Sequence, residues 1–403
     1  MSDIQSLGLV ESAWPRSVRL FMDMLLYADQ GHLTLTVPGG HSMLFGQARQ
    51  EPAAELVVSD WRAIEAILTR GDLGLADAVR QGWIDSPDMT AVMRFALQNE
   101  PALKRALIGQ GFMRLVYLML HRLRANTRKG SRKNIEAHYD LGNAFYQAWL
   151  DPSWSYSSAL FEGDMQRSLE QAQSAKYQRI IDQLQLKPGM RVLEIGCGWG
   201  GFAEHAALQG IEVYGITLSK QQLEWANARI QAAGLGHLVQ LQLRDYRDVQ
   251  ESYDAVVSIE MFEAVGEAYW GTYMNQVRRV LKPGARALVQ TITIDEQRFA
   301  AYRRSSDFIR HYIFPGGMLP SLPRFSAVAA RSGLLTRNVL AFGKDYAETI
   351  RRWRQSFEAS LSEIRLQGFD ETFIRTWSLY LSYCEAGFEE KRIDVVQVLL
   401  EAS

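Results

Sequence analysis

Four glycines fall within six residues at Gly196, Gly198, Gly200 and Gly201, directly after the run Val192-Leu193-Glu194-Ile195. A backbone without Cβ turns sharply and lets a bulky polar ligand lie against main-chain N–H groups. Gly196, Gly198 and Gly201 satisfy G-x-G-x-x-G, the spacing of a dinucleotide-binding turn. That chemistry also wants an acid at the end of the next strand, to take the ribose hydroxyls. The next strand, Glu212 to Ser219, closes on Thr217-Leu218-Ser219 and offers none. The acids stand elsewhere, Glu194 ahead of the first glycine and Asp245 after a third strand, Leu238 to Leu243. An ordinary glycine-rich turn is the plain alternative.

Positioning such a loop requires a sheet. From about Arg191 strands alternate with helical segments, which predicts a mostly parallel sheet with right-handed crossovers. Strands are expected near 191–195, 211–217, 238–243, 253–259, 285–293, 334–342 and 394–400, with a helical insertion at about 346–391. The fold class is α/β, a seven-stranded sheet with helices on both faces, preceded by a small α+β domain. That domain should carry a helix over 19–28, strands at 32–37, 42–45 and 56–58, and helices over 60–69, 75–81 and 89–98. Asp60 is its expected N-cap, and Gly71 to Gly74 its break. An apolar helical pattern, 102–124, leads into 121–133, where six Lys/Arg occur in thirteen residues without an acid. The domains are therefore expected at 1–125 and 126–403.

The 403 residues, with 44 basic and 45 acidic, exclude a general polyanion binder, and no nucleic-acid partner is expected. Two cysteines and seven scattered histidines give neither a disulfide framework nor metal spacing, so no metal is expected. Met1 to Trp14 lacks an apolar signal core, and no run of about 18 apolar residues could span a bilayer. The expectation is a cytoplasmic protein, peripheral to the inner face of the membrane.

Several separated motifs resemble the cyclopropane-fatty-acid synthase family, which includes the mycolic acid cyclopropane synthases. They begin with His138-Tyr139-Asp140-Leu141-Gly142-Asn143, Leu150-Asp151-Pro152 and Tyr156-Ser157. The glycine loop with Trp199, Thr217-Leu218-Ser219 with Gln222, and Asp245-Tyr246-Arg247-Asp248 follow in order. Met261-Phe262-Glu263, Tyr312-Ile313-Phe314-Pro315-Gly316-Gly317 and Gly343-Lys344-Asp345-Tyr346 complete the set. The resemblance implies a Rossmann-like class I fold that binds S-adenosyl-L-methionine (SAM). It implies methylation of the cis double bond of an acyl chain in a membrane phospholipid, forming a cyclopropane. SAM would meet Tyr156, Ser157, Glu194, Gly196, Gly198, Trp199, Thr217, Leu218, Gln222, Asp245 and Tyr246. The resemblance also implies bicarbonate as the base, held here by Glu263, Tyr346 and the backbone at Ile292, and it allows for a homodimer.

Two further positions of that anion site depart from the family, whose cysteine is Ser158 here and whose histidine is Gln290. Ala264 replaces another histidine, and Glu260 stands where a small residue is usual. A serine hydroxyl and a glutamine amide still donate hydrogen bonds, so the same methyl transfer could end in a methylene- or methyl-branched chain instead. Simpler roles stand beside these. Asp245 could cap a helical turn, Glu263 could complement a helix dipole, and Tyr346 could be a core tyrosine. The basic segment could be a solvated linker rather than an anionic-lipid contact. A soluble-amine N-methyltransferase, a lipid carrier and an NAD oxidoreductase are the competing functions.

Overall fold

The computed structural model describes residues 14–108 and 141–402. The basic segment 121–133, the start of the motif at His138 and most of the expected 102–124 helix lie outside the described residues. The chain divides into two compact units.

The first unit holds residues 14–108 with Ser305–His311 and Phe369–Glu390. Its strands are β1 (His32–Thr36), β2 (Ser42–Gly46), β3 (Ala53–Val58) and β4 (Ile84–Asp85), in the order β2-β1-β3-β4. The first helix runs Arg16–Leu25, earlier than expected, because Pro15 with φ −52° sets its start. Gly71 to Gly74 does not break the chain for long. The next helix begins at Asp72, and Gly74 lies inside it, where a Cβ would meet the Ala66 carbonyl oxygen at 1.8 Å. Glycine is there for close helix packing. Asp60 is not the N-cap: the helix begins at Arg62 after Trp61, without a side-chain cap, and the Asp60 carboxylate accepts from Arg62 N at 2.9 Å from one residue further out. The helix Glu371–Glu389 packs on the Asp72–Arg80 and Met89–Ile108 helices of this unit.

The second unit carries β5 (Arg191–Ile195), β6 (Glu212–Thr217), β7 (Val239–Leu243), β8 (Tyr253–Ile259), β9 (Leu281–Ile294), β10 (Leu334–Ala341) and β11 (Ile393–Ala402). They form one sheet in the order β10-β11-β9-β8-β5-β6-β7, with β11 antiparallel to both its neighbours and the other pairs parallel. This is the expected seven-stranded, mostly parallel α/β sheet. Strand residues alternate between two cores. Leu193, Val256, Ala287 and Val289 face the Trp270–Val280 and Leu322–Arg331 helices. Val192, Val213, Val257 and Leu288 face the helices Leu169–Leu184, Gly201–Ala207 and Lys220–Ala232. Strands buried on both faces read as continuous aliphatic runs, and each fully buried side chain contributes about 1.5–3 kcal/mol. The Leu169–Leu184 helix starts at a reciprocal cap, Ser168 with Gln171, which fixes the phase that turns Lys176 inward.

Candidate active site

The carboxyl ends of β5, β6 and β8 open onto a cavity of about 820 Å³. Open α/β sheets place ligands at this edge. Gly196, Gly198 and Gly200 have φ of +87°, +51° and +83°, a left-handed path that side chains rarely take. At Gly201 a Cβ would stand 2.7 Å from the Tyr177 hydroxyl.

Tyr156, Ser157, Glu194, Gly196, Gly198, Trp199, Thr217, Leu218, Gln222, Asp245 and Tyr246 all line this cavity. Trp199 is anchored by its indole N–H, which donates to Asn143 Oδ1 at 2.9 Å. Tyr156 sits among Tyr146, Trp149 and Trp353, with ring centroids 5.4–5.6 Å away. Gln222 occupies the first turn after Ser219, which caps its N–H, while Thr217 Oγ1 donates to Gln222 Oε1 at 3.2 Å. Asp245 also does what its simpler role requires, accepting from Arg247 N at 3.0 Å and from the Arg247 guanidinium at 2.6 and 2.9 Å.

The glycine loop leaves one carboxylate oxygen without a partner. Glu194 Oε2 is buried at the cavity wall with no hydrogen bond, and burial pushes its carboxyl well above the usual range. Such an orphan suits a cationic or hydroxyl donor on a bound molecule, as SAM would supply. The thiol of Cys197 is buried and pushed well up by desolvation, so it is not a nucleophile.

Behind this wall lies a cluster centred on a residue to which the sequence assigned no role. Glu260 Oε1 accepts from Ser158 N at 2.8 Å and from Gln290 Nε2 at 2.7 Å, and its Oε2 accepts from the Tyr346 hydroxyl at 2.5 Å. Glu263 Oε1 accepts from Ile292 N, while Glu263 Oε2 is buried without a partner. The five residues expected around bicarbonate are thus brought together, with their donors turned to two carboxylates. Ser158 takes part through its backbone, because its hydroxyl donates to the Ala159 carbonyl at 2.9 Å. Of this cluster Glu260 lines the cavity; Ser158, Glu263, Gln290, Ile292 and Tyr346 stand behind it.

Electrostatics separates the two acids. Burial and the charge of Glu260 push Glu263 up to about 8, so it is neutral at pH 7. Burial also raises Glu260, opposed by the hydrogen bonds from Tyr346, Ser158 and Gln290 and by the nearby Lys176. Lys176 was missed by sequence reasoning too. It is fully buried, donates to Ser157 Oγ and Gln173 Oε1 at 2.6 Å each, and is pushed down to about 7 by burial.

The family profile described as Mycolic acid cyclopropane synthetase matches residues 126–398. The chain belongs to this family. Tuberculostearic acid methyltransferase UfaA1 of Mycobacterium tuberculosis is 40% identical over 279 residues, 68% of this chain and 65% of that enzyme. The match therefore spans slightly less than two thirds of that relative's length. Cyclopropane-fatty-acyl-phospholipid synthase of Escherichia coli is 35% identical over 353 residues, 86% of this chain and 87% of the other. The crystal structure of mycolic acid cyclopropane synthase CmaA1 complexed with SAH and CTAB superposes with a TM-score of 0.63 at 30% identity. It covers 68% of this chain and all of the other. Like its family, the chain is a SAM-dependent methyltransferase with the class I fold.

Proposed function

We propose that this enzyme methylates the cis double bond of an unsaturated acyl chain in a membrane phospholipid and closes a cyclopropane ring. The carrying observation is a glycine-loop cavity with an aromatic group around Tyr156, the Glu260 carboxylate in its wall and Glu263 behind it. An alkene has no proton to lose, so a base cannot activate it as a nucleophile. The enzyme gains instead from holding the sulfonium methyl in line with the π bond. The transfer leaves a carbocation, which aromatic faces and a nearby carboxylate stabilise. An oxyanion base, bicarbonate or a carboxylate of the protein, then removes a proton. Glu194, Gln222, Thr217, Asp245 and Tyr246 are positioned to hold SAM, with Asp245 and Tyr246 at its adenine end.

The substrate lies in a bilayer, and no described helix is long and apolar enough to cross one. The basic segment 121–133 supports peripheral attachment to an anionic cytoplasmic face. No nucleic acid takes part, and a homodimer is compatible with this reading. The relative named for tuberculostearic acid favours a second reading, the same transfer ending in a methylene- or methyl-branched chain.

The test uses methyl-labelled SAM and vesicles of a cis-unsaturated anionic phospholipid. Label should enter the acyl chains and fall as salt rises, because screening acts over about 10 Å at 0.1 M. Label in a headgroup amine would replace this reading with an N-methyltransferase. Transfer indifferent to salt and to neutralising Arg128, Lys129, Arg132 and Lys133 would make 121–133 a linker.

A further inference from the structure

Glu260 occupies a position whose backbone conformation does not favour a glutamate. Its φ is +50°, in the left-handed region suited to glycine, and it follows directly on β8 with its N–H bonded to the Gln290 carbonyl at 2.8 Å. A strained residue held by its surroundings points to function. Its carboxylate is gripped by donors 102, 30 and 86 residues away in sequence, at Ser158, Gln290 and Tyr346. It also presents this otherwise hidden cluster to the cavity that the glycine loop lines.

We infer that Glu260 is the catalytic base, a carboxylate built into the chain where an outside anion would otherwise have to bind. The inference rests on the lipid reading above and deepens it. As the methyl carbon leaves sulfur, the bonding pair stays on sulfur and SAM becomes S-adenosylhomocysteine. The alkene π pair forms the new C–C bond, leaving a cation on the adjacent carbon. Glu260 takes a proton from the new methyl group, and the C–H pair closes the third side of the ring. The proton rests on the Glu260 carboxyl until solvent removes it. No oxidant, reductant or added anion enters the balance. A proton beside a carbocation is strongly acidic, so placement matters more than basicity, and a hydrogen-bonded carboxylate is sufficient. Glu263 is less suited, because it is neutral at pH 7 and lies behind the cavity wall.

The experiment measures turnover of the full chain on dioleoyl phosphatidylglycerol vesicles, in buffer stripped of carbon dioxide and in buffer with added bicarbonate. The wild type should run within about twofold in the two buffers, and Glu260→Gln should lose about a hundredfold or more. Calorimetry should show unchanged SAM affinity in Glu260→Gln. Glu260→Gly frees three donors and should regain about tenfold when bicarbonate or formate is added, the scale of a restored base. A wild-type rate that collapses without bicarbonate overturns the inference, as does Glu260→Gln with wild-type turnover. The wild-type comparison needs no variant, so it decides even where a substitution prevents folding. Wild-type protein that binds SAM yet labels no lipid overturns the lipid reading and this inference with it. Lipid labelling that ignores Glu260 overturns the inference alone.

Discussion

The Tyr346 hydroxyl donates to Glu260 Oε2 at 2.5 Å, a charge-assisted bond joining residues 86 positions apart. It ties the Gly343–Ala359 helix to the end of β8. The neighbouring Asp345 secures the same helix, its carboxylate accepting from Phe161 N at 2.6 Å and Glu162 N at 3.2 Å. Removing the hydroxyl leaves Glu260 with two donors and a less determined direction. Tyr346→Phe should therefore lower turnover about 10- to 100-fold, as expected for a hydrogen bond to a charged group. SAM affinity by calorimetry should stay at the wild-type value. Equal turnover in the two proteins would make Tyr346 a core residue only.

Glu263 gives a pH prediction with a definite sign. Its carboxyl keeps its proton to about pH 8 in the folded protein, against an ordinary value of 4.5, through burial and the charge of Glu260. Above 4.5 the unfolded chain releases that proton while the folded chain holds it. This contribution to stability is complete below 4.5, falls as pH rises to about 8, and is flat beyond. Glu263→Gln removes the slope, so its stability relative to wild type should increase from pH 5 to pH 9. Urea unfolding of both proteins at the two pH values measures it, and a constant difference would place an ionised Glu263 in the fold.

The strands and the glycine loop were legible because sheets write their pattern locally. Largely apolar runs at 191–195 and 253–259 can be buried on both faces, and positive φ at Gly196, Gly198 and Gly200 favours residues without Cβ. β9 starts at Leu281 rather than near 285 because Tyr253 already pairs with Leu281, ahead of a register shift. Lys176 was not legible. A lysine on an amphipathic helix ordinarily faces water, and only the Ser168 cap and the Ser157 loop turn this one inward. Glu260 was visible as a departure from the family, but its role depends on donors brought from three distant segments. No local pattern encodes that convergence.

Asp245 serves Arg247 as a cap, yet it also stands in the cavity wall. Asp245→Ala should weaken SAM binding about tenfold by calorimetry, the scale of one hydrogen bond to a charged group. The unfolding free energy should fall by only about 1 kcal/mol, the usual effect of losing a cap. Unchanged SAM affinity would confine Asp245 to capping.

The most direct measurement uses SAM carrying ¹³C in its methyl group, dioleoyl phospholipid vesicles and NMR of the extracted lipid. Cyclopropane and methylene products have equal mass, but ring and olefinic carbons resonate far apart. The account predicts the label in a ring methylene bonded to both former alkene carbons. An exocyclic methylene signal would establish the branched product instead. Label on nitrogen, with the double bonds intact, would contradict methylation of the acyl chain altogether.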